Sequence, residues 1–293
     1  MSTLTSELRE RKTQLRGHLS VPLFRHAYTL LLGSASISVL GLVYWLVAAR
    51  VYPADIVGIG SAAISMLMLV SGLAQLGLPT VLLRYLPATG RSATRLVLWS
   101  YGAVVAISAI GGVVAALAIG SFVGDLDFLA SNGWWLAAFA LSAVAWSIFA
   151  LQDSVLTAFR LTHWVTIENT AFAIVKIVLL VGFAAFATTE TALFASWVLP
   201  AVVAVLLVSV LVFAKALPEH RQELGSTAMP VSPRRLFRFA SGNYGGSAIS
   251  LAAVYVMPLL VASEAGATAT AYFYVPWSIF VGMQLIAANM TTR

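Results

Sequence analysis

An all-α integral membrane protein with about eight transmembrane helices is the fold this sequence predicts. Three observations point to it: scarce charge, long apolar runs, and basic residues confined to alternate connections. Of 293 residues, 60% are hydrophobic and only 10% are charged. A soluble domain carries roughly 25% charged residues. Water cannot solvate a surface this poor in charge, so lipid must cover much of it.

A helix needs about 20 mostly apolar residues to cross the hydrocarbon core. Runs of that kind lie near 28–49, 56–86, 96–120, 133–158, 165–187, 191–214, 239–262 and 268–290. Backbone groups in lipid must be paired internally, so the runs are read as helices. A closed barrel would show alternating segments of about 10 residues, and these runs do not alternate.

The basic residues then fix a direction. Arg9, Arg11, Lys12, Arg16 and Arg25 precede the first span. Arg84, Arg91 and Arg95 fall between spans two and three, and Arg160 between four and five. Lys215, Arg221, Arg234, Arg235 and Arg238 fall between six and seven, and Arg293 follows span eight. The opposite connections hold only Arg50, with Asp55, Asp125, Asp127, Glu190 and Glu264. Lysine and arginine stay on the cytoplasmic side, which predicts a multi-pass protein of the cell (plasma or inner) membrane with its N-terminus in the cytoplasm.

The net charge of +6 is therefore a topology signal. Nucleic-acid binding would need those charges clustered on one face, and none is expected. The absence of cysteine excludes disulfides, thiolate metal sites and cysteine nucleophiles. No cleavable signal peptide is expected, because the first apolar run is too long for a signal segment. Leu4, Leu8, Leu15 and Leu19 stand at helical spacing among basic residues, which fits either an interfacial helix on anionic lipid or a charged tail.

An internal repeat organises the spans. Leu23-Phe24-Arg25 matches Leu236-Phe237-Arg238, and Gly33-Ser34-Ala35 matches Gly246-Ser247-Ala248, both at an offset of 213 (236 − 23 and 246 − 33). The same offset pairs Ala27 with Ala240, Val43 with Val256, Leu46 with Leu259 and Ala49 with Ala262. Six helices separate the copies, so the chain returns to the same side and the repeats are parallel, as in two-lobed transporters. The expected layout is a cytoplasmic tail at 1–27, a complete six-helix lobe at 28–215, a cytoplasmic linker at 216–238, and the first two helices of a second lobe at 239–293.

Particular segments resemble a known family. They are Tyr44-Trp45-Leu46-Val47-Ala48-Ala49-Arg50, Val57-Gly58-Ile59-Gly60-Ser61-Ala62, Gly77-Leu78-Pro79 and Leu83-Arg84-Tyr85-Leu86-Pro87, then Asp153 to Arg160 with Trp164-Val165 and Glu168-Asn169. Over the first lobe the chain resembles the polysaccharide-type flippases of the multidrug/oligosaccharidyl-lipid/polysaccharide exporter superfamily. The resemblance implies twelve to fourteen helices in two lobes, alternating access, and an undecaprenyl-diphosphate-linked sugar as cargo. It also implies glycosyltransferases or a polymerase of the same pathway as partners. Measured against that pattern, the sequence covers one lobe and a fragment of the second.

Lys176 is the sharpest candidate for a cavity residue. It lies about eleven residues into span five, roughly 16 Å along the helix at 1.5 Å per residue. A charge at that depth costs at least about 2.5–3.5 kcal/mol and should face water or a partner. It is either a cation that attracts a pyrophosphate or sugar acid, or the static partner of Asp153 or Glu168. Asn169 lies seven residues earlier on nearly the same helix face. Arg50 and Arg84 could clamp phosphate through paired hydrogen bonds, or anchor helix ends at the interface. Asn243 and Gln284 could face the cavity or bond between helices. Asp153 and Glu168 are candidates for binding a coupling proton or sodium ion, or are interfacial carboxylates near Arg160 and His163. Gly77 and Pro79, with Gly72, break the long second span and are hinge candidates. Trp134, Trp135, Trp164 and Trp197 read as a membrane belt.

These residues favour a flippase or exporter of lipid-linked oligosaccharide or polysaccharide units, with no cofactor, no metal and no catalytic residues. The alternatives are a multidrug/cation antiporter, whose cavity would favour carboxylates and aromatics, and an integral membrane polymerase or transferase. Against the enzyme stands the lack of paired catalytic carboxylates, phosphate-binding loop, zinc spacing or nucleophile elbow. A non-transporting remnant is the last reading.

Overall fold

The computed structural model describes residues 22–90, 92–224 and 233–291. The tail residues Arg9, Arg11, Lys12 and Arg16 lie outside the described residues, as do Leu4, Leu8, Leu15, Leu19, Arg91, Arg293 and positions 225–232 of the expected linker. The side chains of 22–36, Pro233, Phe237, Asn243 and 285–291 also lie outside.

The described residues form α-helices joined by short turns, with no strand among them. They are α1 (Pro22–Val51), α2 (Ala54–Ala74), α3 (Leu78–Tyr85), α4 (Ala93–Ile119), α5 (Gly133–Ala158), α6 (Thr162–Ala184), α7 (Glu190–Leu211), α8 (Leu217–Leu224) and α9 (Pro233–Thr291). Six stretches are long and apolar enough to cross a membrane: α2, α4, α5, α6, Glu190–Gln222, and Tyr244–Gln284 within α9. Ile37–Val51 of α1 is a shorter apolar stretch. The outward surface is apolar too, with Phe122, Trp134, Phe186 and Ile249 all exposed. An exterior with so many exposed apolar side chains is suited to lipid.

The second predicted span is two helices, not one bent rod. Leu76 and Gly77 both adopt positive φ, 47° and 73°, and α3 starts afresh at Leu78. Pro79 then sits in the first turn of α3, where its missing N–H costs nothing. The span from 191 continues through a π turn at Val212–Ala216 into α8. Pro200 is accommodated inside α7.

The last helix is a hairpin. Gly266 has φ 79° and ψ 176°, outside the helical region. The Trp277 indole N–H donates to the Val254 carbonyl at 3.0 Å. In a straight helix those residues would stand roughly 35 Å apart at 1.5 Å per residue. The chain therefore reverses at Gly266, between the seventh and eighth predicted spans.

This hairpin packs mainly on α2 and α1. Two glycines of the α2–α3 segment make the approach possible. A side chain on Gly58 would run into the Ala267 carbonyl, and one on Gly77 would meet the Ala240 carbonyl at 2.6 Å. Tyr244 adds a hydrogen bond to the Leu73 carbonyl at 2.9 Å. Within the first helices, Gln152 ties α5 to α7 by donating to Val205 O (3.1 Å) and Ser209 Oγ (2.9 Å). Tyr52 ties the end of α1 to α6 through the Leu180 carbonyl at 3.0 Å.

One end of the bundle is basic. His220 meets the Leu86 carbonyl at 3.2 Å and the Phe159 ring at 4.9 Å. Arg84 lies 4.8 Å from the Phe239 ring centroid. These contacts gather the connections that carry Arg84, Arg160, Arg221 and Arg238.

Gly77→Ala should destabilise the protein by at least about 1–2 kcal/mol, the cost of a left-handed conformation for an alanine. Gly182→Ala, with open space around it and ordinary φ, should be neutral or stabilising. Thermal unfolding in detergent checks both, and equal stability of the two variants would contradict the packing described.

Candidate functional site

A cavity of about 310 Å³ lies where α1, α5, α6 and α7 meet both arms of the α9 hairpin. Lys176, Asp153 and Asn169 line it, as do Ser38, Tyr255 and Ser278. Rings line it as well: Trp45, Trp146, Phe149, Phe172, Trp197 and Trp277.

Lys176 is buried, at 4% exposure. Its ammonium sits 3.6 Å from the Trp197 ring centroid, 4.9 Å from Phe172 and 5.0 Å from Tyr44. An ammonium within about 6 Å of a ring face is drawn to the negative face of the π system. Among the described residues no carboxylate pairs with it. The static pair with Asp153 or Glu168 that the sequence left open is therefore not formed.

The box is held rigidly. Tyr44 meets Trp197 edge-on at 5.1 Å, and Trp146 lies 5.9 Å from the same ring. The Tyr44 hydroxyl is fixed by Ser196 Oγ at 2.9 Å and by the Leu193 carbonyl at 3.3 Å. Trp197 thus belongs to the core and the cavity wall rather than to the membrane belt predicted for it. It is only 7% exposed, whereas Trp134 is 74% exposed. The belt reading failed because distance from the end of a run says nothing about which way a ring faces.

Asp153 takes a different partner. The Asn169 amide donates to both of its oxygens, at 3.1 and 3.2 Å, and also to the Val165 carbonyl at 3.0 Å. Asn169, Phe172 and Lys176 fall at i, i+3 and i+7, so one face of α6 presents amide, ring and ammonium in turn. The ammonium and the Asp153–Asn169 pair are thereby about two helical turns apart, roughly 10 Å.

The other candidates are placed elsewhere. Glu168 is buried but does not line the cavity, and neither of its oxygens has a hydrogen-bond partner. Arg50 is exposed at the end of α1. Arg84 is exposed and packs over Phe239 at the basic end. Gln284 is exposed and is not part of the cavity wall. Gly77 and Pro79 mark the α2–α3 break. Sequence reasoning missed the aromatic wall, although Trp146 with Phe149 and Tyr274 with Trp277 recur at i, i+3 in mid-span. Among the described residues no cluster of His, Asp or Glu could hold a metal ion.

Chemically, the arrangement can bind an anion at one end and hydroxyl or amide groups at the other, with rings between. No protein-family model, curated protein or solved structure matches the chain.

The native chain has no cysteine, so single cysteines report access cleanly. Ser38→Cys and Ser278→Cys, on two different helices that line the cavity, should react with a polar thiol reagent in the detergent-purified protein. Ala143→Cys, buried between α2 and α5, should not. Equal reactivity at all three positions would contradict a solvated cavity.

Proposed function

We propose that the protein is a transporter that carries lipid-linked oligosaccharide or polysaccharide units across the cell membrane by alternating access. The observation that supports this most is the Lys176 ammonium, buried among rings and without a carboxylate partner among the described residues. Breaking a buried ion pair strands a charge at a cost of several kcal/mol, so an ammonium kept without its own counter-ion suits a site that receives one. A diphosphate supplies two or more negative charges, and the flanking rings offer faces on which sugars stack.

The architecture proposed is eight crossings, with α1–α7 as one lobe and α9 as the first hairpin of a second. Two observations support it. The reversal at Gly266 divides α9 into two arms. The sequence offset of 213 carries Pro53, which caps α2 after the α1 turn, onto Gly266 (53 + 213 = 266). Each copy then turns at the same place. The cavity lies between these units, where relative movement would open it to alternate sides. The basic end would face the cytoplasm. Glycosyltransferases or a polymerase would supply and consume the cargo.

A second reading, export of hydrophobic cations, is favoured by the aromatic wall and Asp153. Lys176 argues against it, since it would repel such cargo. An integral membrane polymerase or transferase has weaker support, because the cavity lacks paired carboxylates.

The test is flipping of a fluorescent polyprenyl-diphosphate sugar in proteoliposomes. Lys176→Ala should lower the rate about tenfold or more, equivalent to about 1.4 kcal/mol, at unchanged insertion. Lys176→Arg should retain part of it. Unchanged flipping by Lys176→Ala would sink the proposal, and loss of dye-cation export instead would favour the second reading. Reporter fusions after Arg95 and Arg221 should be cytoplasmic, and one after Asp125 external; the reverse pattern would overturn the orientation.

A further inference from the structure

A groove of about 210 Å³ lies outside the Lys176 cavity, where α3, α4 and the first arm of α9 meet. Leu78 and Val81 of α3, Trp99 and Ala103 of α4, and Leu236 and Ala240 of α9 form its wall. Two polar side chains, Ser241 and Tyr244, also border it, and both are already engaged. The Ser241 hydroxyl donates to the Arg238 carbonyl on its own helix at 3.2 Å, and the Tyr244 hydroxyl donates to the Leu73 carbonyl at 2.9 Å. What the groove offers a ligand is therefore hydrocarbon. Trp99 is 58% exposed, so the groove opens on the outer surface of the bundle, from which a lipid chain can enter.

An apolar groove alone does not name its occupant, but three arginines around this one do. Arg84 follows Val81 at i+3, Arg95 precedes Trp99 at i−4, and Arg238 precedes Ser241 at i−3. At these spacings each arginine shares a helix face with a wall residue one turn away. All three turns lie at the same end of the groove. α3 ends at Tyr85, whereas α4 begins at Ala93 and α9 at Pro233. Phe239 of α9 joins these ends, with its ring 5.6 Å from the Tyr85 ring and 4.8 Å from the Arg84 guanidinium.

The three arginines are exposed, and among the described residues none of their side chains has an ion pair or a hydrogen bond. A guanidinium stacked on a ring keeps its in-plane N–H donors for a phosphate. Hydrocarbon at one end and unpaired cations at the other complement an amphiphile with an anionic head. Basic residues at the ends of apolar helices also stand at the depth of lipid headgroups.

We propose that this groove binds one anionic phospholipid of the surrounding bilayer, with an acyl chain between α3, α4 and α9 and the phosphate on Arg84, Arg95 and Arg238. The bound lipid clamps the first arm of α9 to α3 and α4 beside the Gly77–Ala240 contact. It thereby steadies the hairpin that walls the Lys176 cavity. None of the groove residues lines that cavity, so the lipid site does not depend on the transport reading.

Phosphatidylglycerol with a photoreactive group in its acyl chain tests this on the native full chain in detergent. Cross-links should concentrate on 99–103 and 236–244. Native mass spectrometry should retain one phosphatidylglycerol per chain and no phosphatidylcholine. Ala103→Phe fills the groove without changing charge, and Arg84→Gln, Arg95→Gln and Arg238→Gln together remove the cations. Each of these two variants should lower the bound fraction at least about tenfold. Lys215→Gln with Arg221→Gln, at the same end of the bundle but off the groove, should leave it unchanged. Should the triple variant fail to fold, Ala103→Phe and the cross-link map of the native chain decide. Cross-links spread evenly over exposed apolar positions such as Ile110 and Leu206 would overturn the proposal. So would equal retention of the two lipids, loss of binding with any charge removed from that end, or a groove covered by a second copy of the chain or by a polyprenyl carrier in place of phospholipid.

Discussion

The constraint on which the rest of the structure turns is a single ammonium held in a buried aromatic box. Lys176 lies 3.6 Å from the Trp197 ring centroid, and among the described residues no carboxylate stands on its nitrogen. Ring faces recover part of the lost hydration, about 2 kcal/mol or more for a desolvated cation. The remainder must come from water in the cavity or from an arriving anion. Much of the surrounding structure serves this arrangement. Ser196 fixes the Tyr44 hydroxyl, Tyr44 braces Trp197 edge-on, and Asn169 occupies Asp153, which would otherwise be the obvious partner for the lysine.

The second organising feature is the close approach of the α9 hairpin to α2 and α3. Gly58 and Gly77 leave room for the Ala267 and Ala240 carbonyls, one on each arm of the hairpin. That contact supplies the far wall of the cavity through Tyr255, Pro258, Tyr274 and Trp277. The cavity is thus completed only when the last helices dock on the first. In the transport reading proposed above, a site between the first helices and the last hairpin lies where their relative motion has most effect.

Much of this was legible in the sequence, and the gaps have physical causes. Apolar runs of membrane length give helices because lipid offers the backbone no other partner. The helix break was visible at Gly77-Leu78-Pro79, since a glycine that permits positive φ precedes a proline suited to a first turn. Lys176 stood out because an intramembrane charge is costly wherever it lies. What one-dimensional spacing does not carry is the identity of a partner across helices. Asn169 was visible as part of a polar stripe, but its bond to Asp153 depends on how α5 and α6 face each other. Trp197 was read as belt because its ring direction is set by Tyr44, 153 positions earlier (197 − 44). Glu168 and Asp153 looked alike in sequence; burial away from the cavity separates them.

The central claim, that Lys176 is an uncompensated cation awaiting an anion, is open to direct spectroscopy. The chain has three lysines, Lys12, Lys176 and Lys215. With 15N-labelled lysine side chains, nuclear magnetic resonance of the detergent-purified protein should show one signal displaced by the ring currents of Trp197. That signal should be absent in Lys176→Arg and should move when a short-chain polyprenyl diphosphate is added. A Lys176 signal that does not respond to the diphosphate, while the lipid is shown to bind elsewhere, would contradict the account.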